Sequence, residues 1–155
     1  MLQLNAGGDV DWQYPVLRHF LICRRPVPVD EAYREAMLRI VFALRPTVPY
    51  PFLLPELHAF VQVSDASGTF AFSVEMYRSG GHDLLTSAED IDFEFSDRLT
   101  TFSFFRNFDR LPFREAGLYE FRLFARMLRD HAGRFVQDAP RRLLAFEPLM
   151  MEAFP

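Results

Sequence analysis

The sequence predicts an all-β chain folded as a two-sheet antiparallel β-sandwich. Three observations predict it. Large apolar side chains recur at every second position in several separate stretches, and Pro, Gly, Asp and Ser clusters divide those stretches at short intervals. The alternating helices that a parallel sheet requires are missing. With 155 residues, half of them apolar and 15% aromatic, the chain has the size of one domain and can bury a core without metals or disulfides. It reads as a single domain over residues 1–155, with an N-terminal extension, 1–16, and an apolar C-terminal tail, 148–155.

The elements follow in chain order. Phe20-Leu21-Ile22-Cys23 is apolar and extended, with Cys23 as a small filler. Residues 30–44 carry two periods at once. Ala32, Tyr33, Ala36, Met37, Ile40, Val41 and Leu44 fall at helical spacing behind an Asp30 cap, yet Leu38, Ile40, Phe42 and Leu44 alternate. The segment is therefore divided into a start that is either a turn or the one short helix of the fold, and a strand from about Met37. Leu57 to Val63 alternates weakly and leads through Ser64-Asp65-Ala66-Ser67-Gly68-Thr69, a turn cluster, into Phe70 to Tyr77, which alternates strongly. Ile91, Phe93 and Phe95 face inward while Asp90, Asp92 and Glu94 face out. Thr100 to Phe108 is β-branched and aromatic, and Leu111-Pro112-Phe113 ends it, because Pro gives no N–H to a central ladder. Gly117 opens the clearest strand, Leu118 to Phe124, with Tyr119, Phe121 and Leu123 on one face. The stretch from Phe124 to His131 is ambiguous and could run on as a helical turn before Gly133 ends it, and Leu143 to Phe146 is a last, weaker strand after Pro140.

The run Pro51-Phe52-Leu53-Leu54-Pro55-Glu56-Leu57, then Thr69-Phe70, then Leu111-Pro112-Phe113 and Gly117-Leu118-Tyr119-Glu120-Phe121-Arg122-Leu123, resembles a family of uncharacterised bacterial proteins. The resemblance covers about residues 17–147. It implies an immunoglobulin-like or C2-like sandwich and carries no activity, ligand or catalytic residue with it. The chain departs from that pattern at Ala116, where a Pro usually precedes the glycine, and in a longer insertion from Arg126 to Pro140.

Charge narrows the function classes. The net charge is −4 and all 17 basic residues are Arg, so lysine Schiff-base chemistry is excluded. Residues 1–97 hold 7 Arg and 14 acids, whereas residues 98–155 hold 10 Arg and 7 acids, an asymmetry that could steer a partner or a second copy. No apolar run reaches the roughly 20 residues of a membrane span. A single cysteine and a start without a basic signal region lead us to expect a cytoplasmic protein.

Motifs for chemistry are few. Phosphate-loop, dinucleotide, nucleophile-elbow and zincin patterns are absent, and His19, His58, His82 and His131 never stand at metal-ligand spacing. We therefore expect no cofactor, no metal and no catalytic residue. Asp65, Asp97 and Asp109 could serve a calcium cage only if separate loops met, which is the one route to calcium-dependent membrane docking. Arg106, Arg110, Arg114, Arg122, Arg126, Arg129 and Arg134 interleave with phenylalanines, as in a nucleic-acid platform. Alternation should send rings inward and arginines outward, so no nucleic-acid partner is expected. What remains is binding. The favoured expectation is a non-catalytic protein-binding or assembly module, with a homo-oligomer or protein partner meeting Leu149, Met150, Met151, Phe154, Arg122 and Arg126. The alternative is a small-ligand or carbohydrate-binding sandwich, or a hydrolase built on one, lined by Trp12, Tyr50, Asp65, His82 and Asp109.

Overall fold

A computed structural model of the chain describes residues 14–24 and 41–155. Nine strands run through them: β1 (Val16–Cys23), β2 (Ala43–Leu44), β3 (Phe52–Ser64), β4 (Gly68–Arg78), β5 (Leu84–Ser87), β6 (Ile91–Phe95), β7 (Phe102–Phe113), β8 (Gly117–Arg129) and β9 (Arg142–Met151). They form two sheets packed against each other. The smaller has the order β1-β3-β7, and the larger has β2-β9-β8-β4-β5, with β6 pairing the same edge of β4 as β5. All pairings are antiparallel except β2 with β9. The chain is all-β, and the two-sheet sandwich expected from the alternation is the observed architecture.

The core lies between the sheets. Leu57, Ala59, Val61 and Val63 of β3, with Phe104 and Phe108 of β7, face Phe70, Phe72, Val74 and Met76 of β4 and Tyr119, Phe121 and Leu123 of β8. Rings meet across the layers: Phe108 stands edge-on to Phe121 at 5.2 Å, and Phe72 lies 5.4 Å from Phe104. Each such ring, fully buried, contributes about 1.5–3 kcal/mol by removal from water. A geometric bonus of about 0.5–1.5 kcal/mol attaches to each aromatic pair.

Several strands extend beyond what local sequence suggested. β7 continues through Pro112 to Phe113, because it is an edge strand and the absent N–H costs no ladder bond. Pro55 is tolerated within β3 for a related reason, since β1 pairs only from His58 onward and leaves that end uncovered. β8 runs on to Arg129 in place of a helical turn. The turn comes after it, where Asp130 Oδ1 accepts hydrogen bonds from the Ala132 and Arg134 amides, each 2.9 Å long. β9 absorbs the first half of the supposed tail: Pro148 lies inside the strand, and β2 pairs only Met150 and Met151 on its far side. Of the ambiguous segment 30–44, residues 30–40 lie outside the described residues, and so does the expected helix. Its end is the two-residue β2, placed by amide bonds from Met150 to Phe42 and from Glu152 to Leu44. No helix occurs among the described residues. β5, unforeseen in the sequence, is a short hairpin return against β4.

Candidate functional site

Alternation fixes what the larger sheet shows to the outside. With Tyr119, Phe121, Leu123 and Ala125 inward, β8 turns Leu118, Glu120, Arg122, Phe124 and Arg126 outward. The register sets Met150 opposite Leu118, Pro148 opposite Glu120 and Phe146 opposite Arg122 on β9. On the other flank, Tyr77 lies opposite Glu120, Glu75 opposite Arg122 and Ser73 opposite Phe124 on β4.

One side of this face is apolar. Phe146 is 57% exposed and Met150 42%, and Phe42, 67% exposed, flanks Met150 from beside β2. The other side is a closed polar network. Glu75 and Glu120 are buried although they sit on an outer face. Glu75 accepts from the Arg141 guanidinium and from the Tyr77 hydroxyl at 3.2 Å. Glu120 pairs with Arg122, whose guanidinium also donates to the Gly81 carbonyl at 2.8 Å and lies 3.9 Å over the Tyr77 ring. Arg141 lies 3.7 Å over Phe124. Both carboxylates are thus bound to guanidinium groups, an arrangement that fixes the side chains in place.

The six residues expected to meet a partner divide by parity. Arg122, Arg126 and Met150 share the outer face, and Phe154 is 43% exposed beyond the end of β9. Leu149 and Met151 point inward and are core residues, 0% and 1% exposed, so they cannot touch a partner. Sequence reasoning did not single out Phe146, Leu118, Glu75, Tyr77 or Arg141. Phe146 keeps the parity of Met150 in a register unshifted from Gly117–Met151 to Leu123–Ala145, and the bulge lies beyond it, between Leu123 and Phe124.

The residues expected to line a ligand site are not brought together. Trp12 lies outside the described residues. The Tyr50 hydroxyl donates to the Glu152 carbonyl at 2.7 Å, and burial pushes its pKa up. Asp65, in the β3–β4 turn, is ion-paired with Arg18, and His82 is in the exposed β4–β5 loop. Asp109 lies on β7, within the strand, where it borders a separate cleft. The calcium candidates are equally dispersed: Asp97 accepts from the Leu99 amide in its own loop, and no group of three or more metal-ligating side chains occurs among the described residues. Cys23, His58 and Asn107 form one cross-strand row on the smaller sheet, where His58 is buried and hydrogen-bonded to Asn107 and Glu56. Cys23 is 0% exposed and packs with Phe60 in a small second cluster, the filler role expected of it.

One arginine defies the expected parity. Arg106 lies on the inner side of β7 between Phe104 and Phe108, opposite Ala59, whereas Phe105 takes the outer side against Phe60. Among the described residues no helix is long and apolar enough to cross a membrane. No protein-family model matches the chain and no curated protein matches it, so the reading of the site rests on its own geometry.

Proposed function

We propose that this protein is a non-catalytic β-sandwich that works by assembly, with a second copy of the chain docked on the outer face of the larger sheet. The observation that carries this reading is the apolar stripe of Leu118, Phe146, Pro148 and Met150 beside Arg122 and Arg126. Aromatic residues, Met and Arg are the types enriched where proteins meet, and contiguous apolar surface on a soluble domain marks such contacts. A two-fold partner sets the stripe of one copy against the stripe of the other. The engagement of Glu75 and Glu120 in ion pairs supports a non-catalytic role for this face.

Light scattering coupled to size-exclusion chromatography tests the proposal on the full chain. A dimer is expected, and both Phe146→Asp and Met150→Asp should return folded monomers, since both side chains are exposed, with a melting temperature that no longer rises with protein concentration. A wild-type protein that stays monomeric at every concentration reached, or a dimer indifferent to both substitutions, would overturn it.

A further inference from the structure

The edge strand of the larger sheet is broken between Ser87, where β5 ends, and Ile91, where β6 begins. The break stands beside the free edge of β7 and leaves a cleft of about 370 Å³ along that edge, lined by Ser87, Glu89, Phe105, Arg106, Asn107 and Asp109, with Arg106 reaching it from the inner side of β7. Neither the core nor the docking face uses it.

Arg106 is the informative residue. Its stem starts from the inner side of β7, and its Nε is buried with no hydrogen-bond partner. A buried donor left unmade costs the fold about 1–3 kcal/mol, more when the group is charged, and such a group calls for an explanation. Glu89 and Asp109 also have no ion-pair partner among the described residues. Asn107 is held through its Oδ1 by His58 Nδ1, which leaves its amide N–H groups as donors.

The mixture selects the ligand. A phosphate or sulfate drawn by Arg106 would meet two carboxylates, and a bare cation drawn by those carboxylates would meet Arg106. A hydroxyl both donates and accepts, so vicinal hydroxyls can satisfy carboxylates and guanidinium side by side. The volume lies at the small end of ligand sites, enough for a short oligosaccharide. We propose that this cleft binds a short neutral saccharide, with Arg106 donating to a ring or hydroxyl oxygen and Glu89 and Asp109 accepting from hydroxyls. The site is separate from the docking face and does not depend on it.

Amide chemical-shift titration of the full-length protein with disaccharides of glucose, galactose, mannose and N-acetylglucosamine, each at millimolar concentration, tests the assignment. At least one should shift the amides of residues 87–89 and 105–109. Arg106→Met should weaken that binding at least about tenfold while leaving the melting temperature unchanged or higher, because it removes an unsatisfied nitrogen. Asp109→Asn, an exposed change, should weaken it as well and serves if Arg106→Met disturbs the fold. The proposal fails if no sugar moves those amides, if inorganic phosphate or glutamate moves them as strongly as any sugar, or if a folded variant binds like the wild type.

Discussion

Glu75 lies directly opposite Arg122 in the β4–β8 register, yet its carboxylate is taken by Arg141, from the segment leading into β9, while Arg122 turns to Glu120 on its own strand. The Glu75 pair ties β4 to the segment before β9, and Arg122 ties β8 to β4 by lying over the Tyr77 ring. They also explain how acids can be buried on the outside of a sheet: each is covered by a guanidinium, and each guanidinium in turn rests on an aromatic ring.

Removing Arg141 should therefore be costly in a specific way. Arg141→Ala leaves the Glu75 carboxylate buried beside a single hydroxyl donor. Because the Arg141 side chain is itself 44% exposed, the loss should be about 1–2 kcal/mol, below the range for fully buried pairs. Adding Glu75→Gln to Arg141→Ala should recover much of it. Denaturant unfolding of the single and double variants provides the comparison, and additive losses would contradict the pairing.

Tyr119 ties the β7–β8 corner. Its hydroxyl donates to the Glu115 carbonyl at 2.8 Å and accepts from Arg78 at 3.3 Å, while its buried ring stands edge-on to Phe113. Tyr119→Phe keeps the ring and should cost about 1 kcal/mol, read as a lower unfolding midpoint with an unchanged denaturant slope.

Gly68, at the start of β4, has φ +109°, and a Cβ there would lie 2.4 Å from the Arg129 carbonyl oxygen on the neighbouring strand. The obstacle is backbone, so no side-chain rotation relieves it. Gly68→Ala should destabilise the protein by about 2 kcal/mol or more, whereas Gly80→Ala, with open space around its Cβ, should cost only the strain of its positive φ. Thermal melts of the two variants side by side should rank them in that order.

Glu147 lies opposite Phe121 on β9, and burial pushes its carboxyl pKa above the ordinary value. Folding thus penalises the ionised form. The contribution of Glu147 is most favourable below its unfolded pKa and is lost as pH rises through the folded one. Glu147→Gln should raise the melting temperature at neutral pH, and the gain should fade as the buffer is taken below about pH 4. An equal gain at both ends of that range would show that ionisation is not its cause.

The sequence by itself determined the class of fold and the inward faces of the strongest strands. Period-two alternation in Phe70 to Tyr77 and Leu118 to Phe124 leaves little choice once one side must leave water. It marked Met150 and Arg122 for a partner, but grouped Leu149 and Met151 with them. Tertiary structure decided the rest, because edge status, register and bulges are relations between strands. Pro112 is permitted only because β7 has a neighbour on one side, and Leu149 and Met151 are core because pairing with β8 turns them inward. Phe146 joins Met150 on the outer face because β9 pairs with β8 through both, and Arg106 lies among inward phenylalanines beside a gap in a strand that pairs with a different sheet. No local pattern encodes those neighbours. They exist only when distant segments meet.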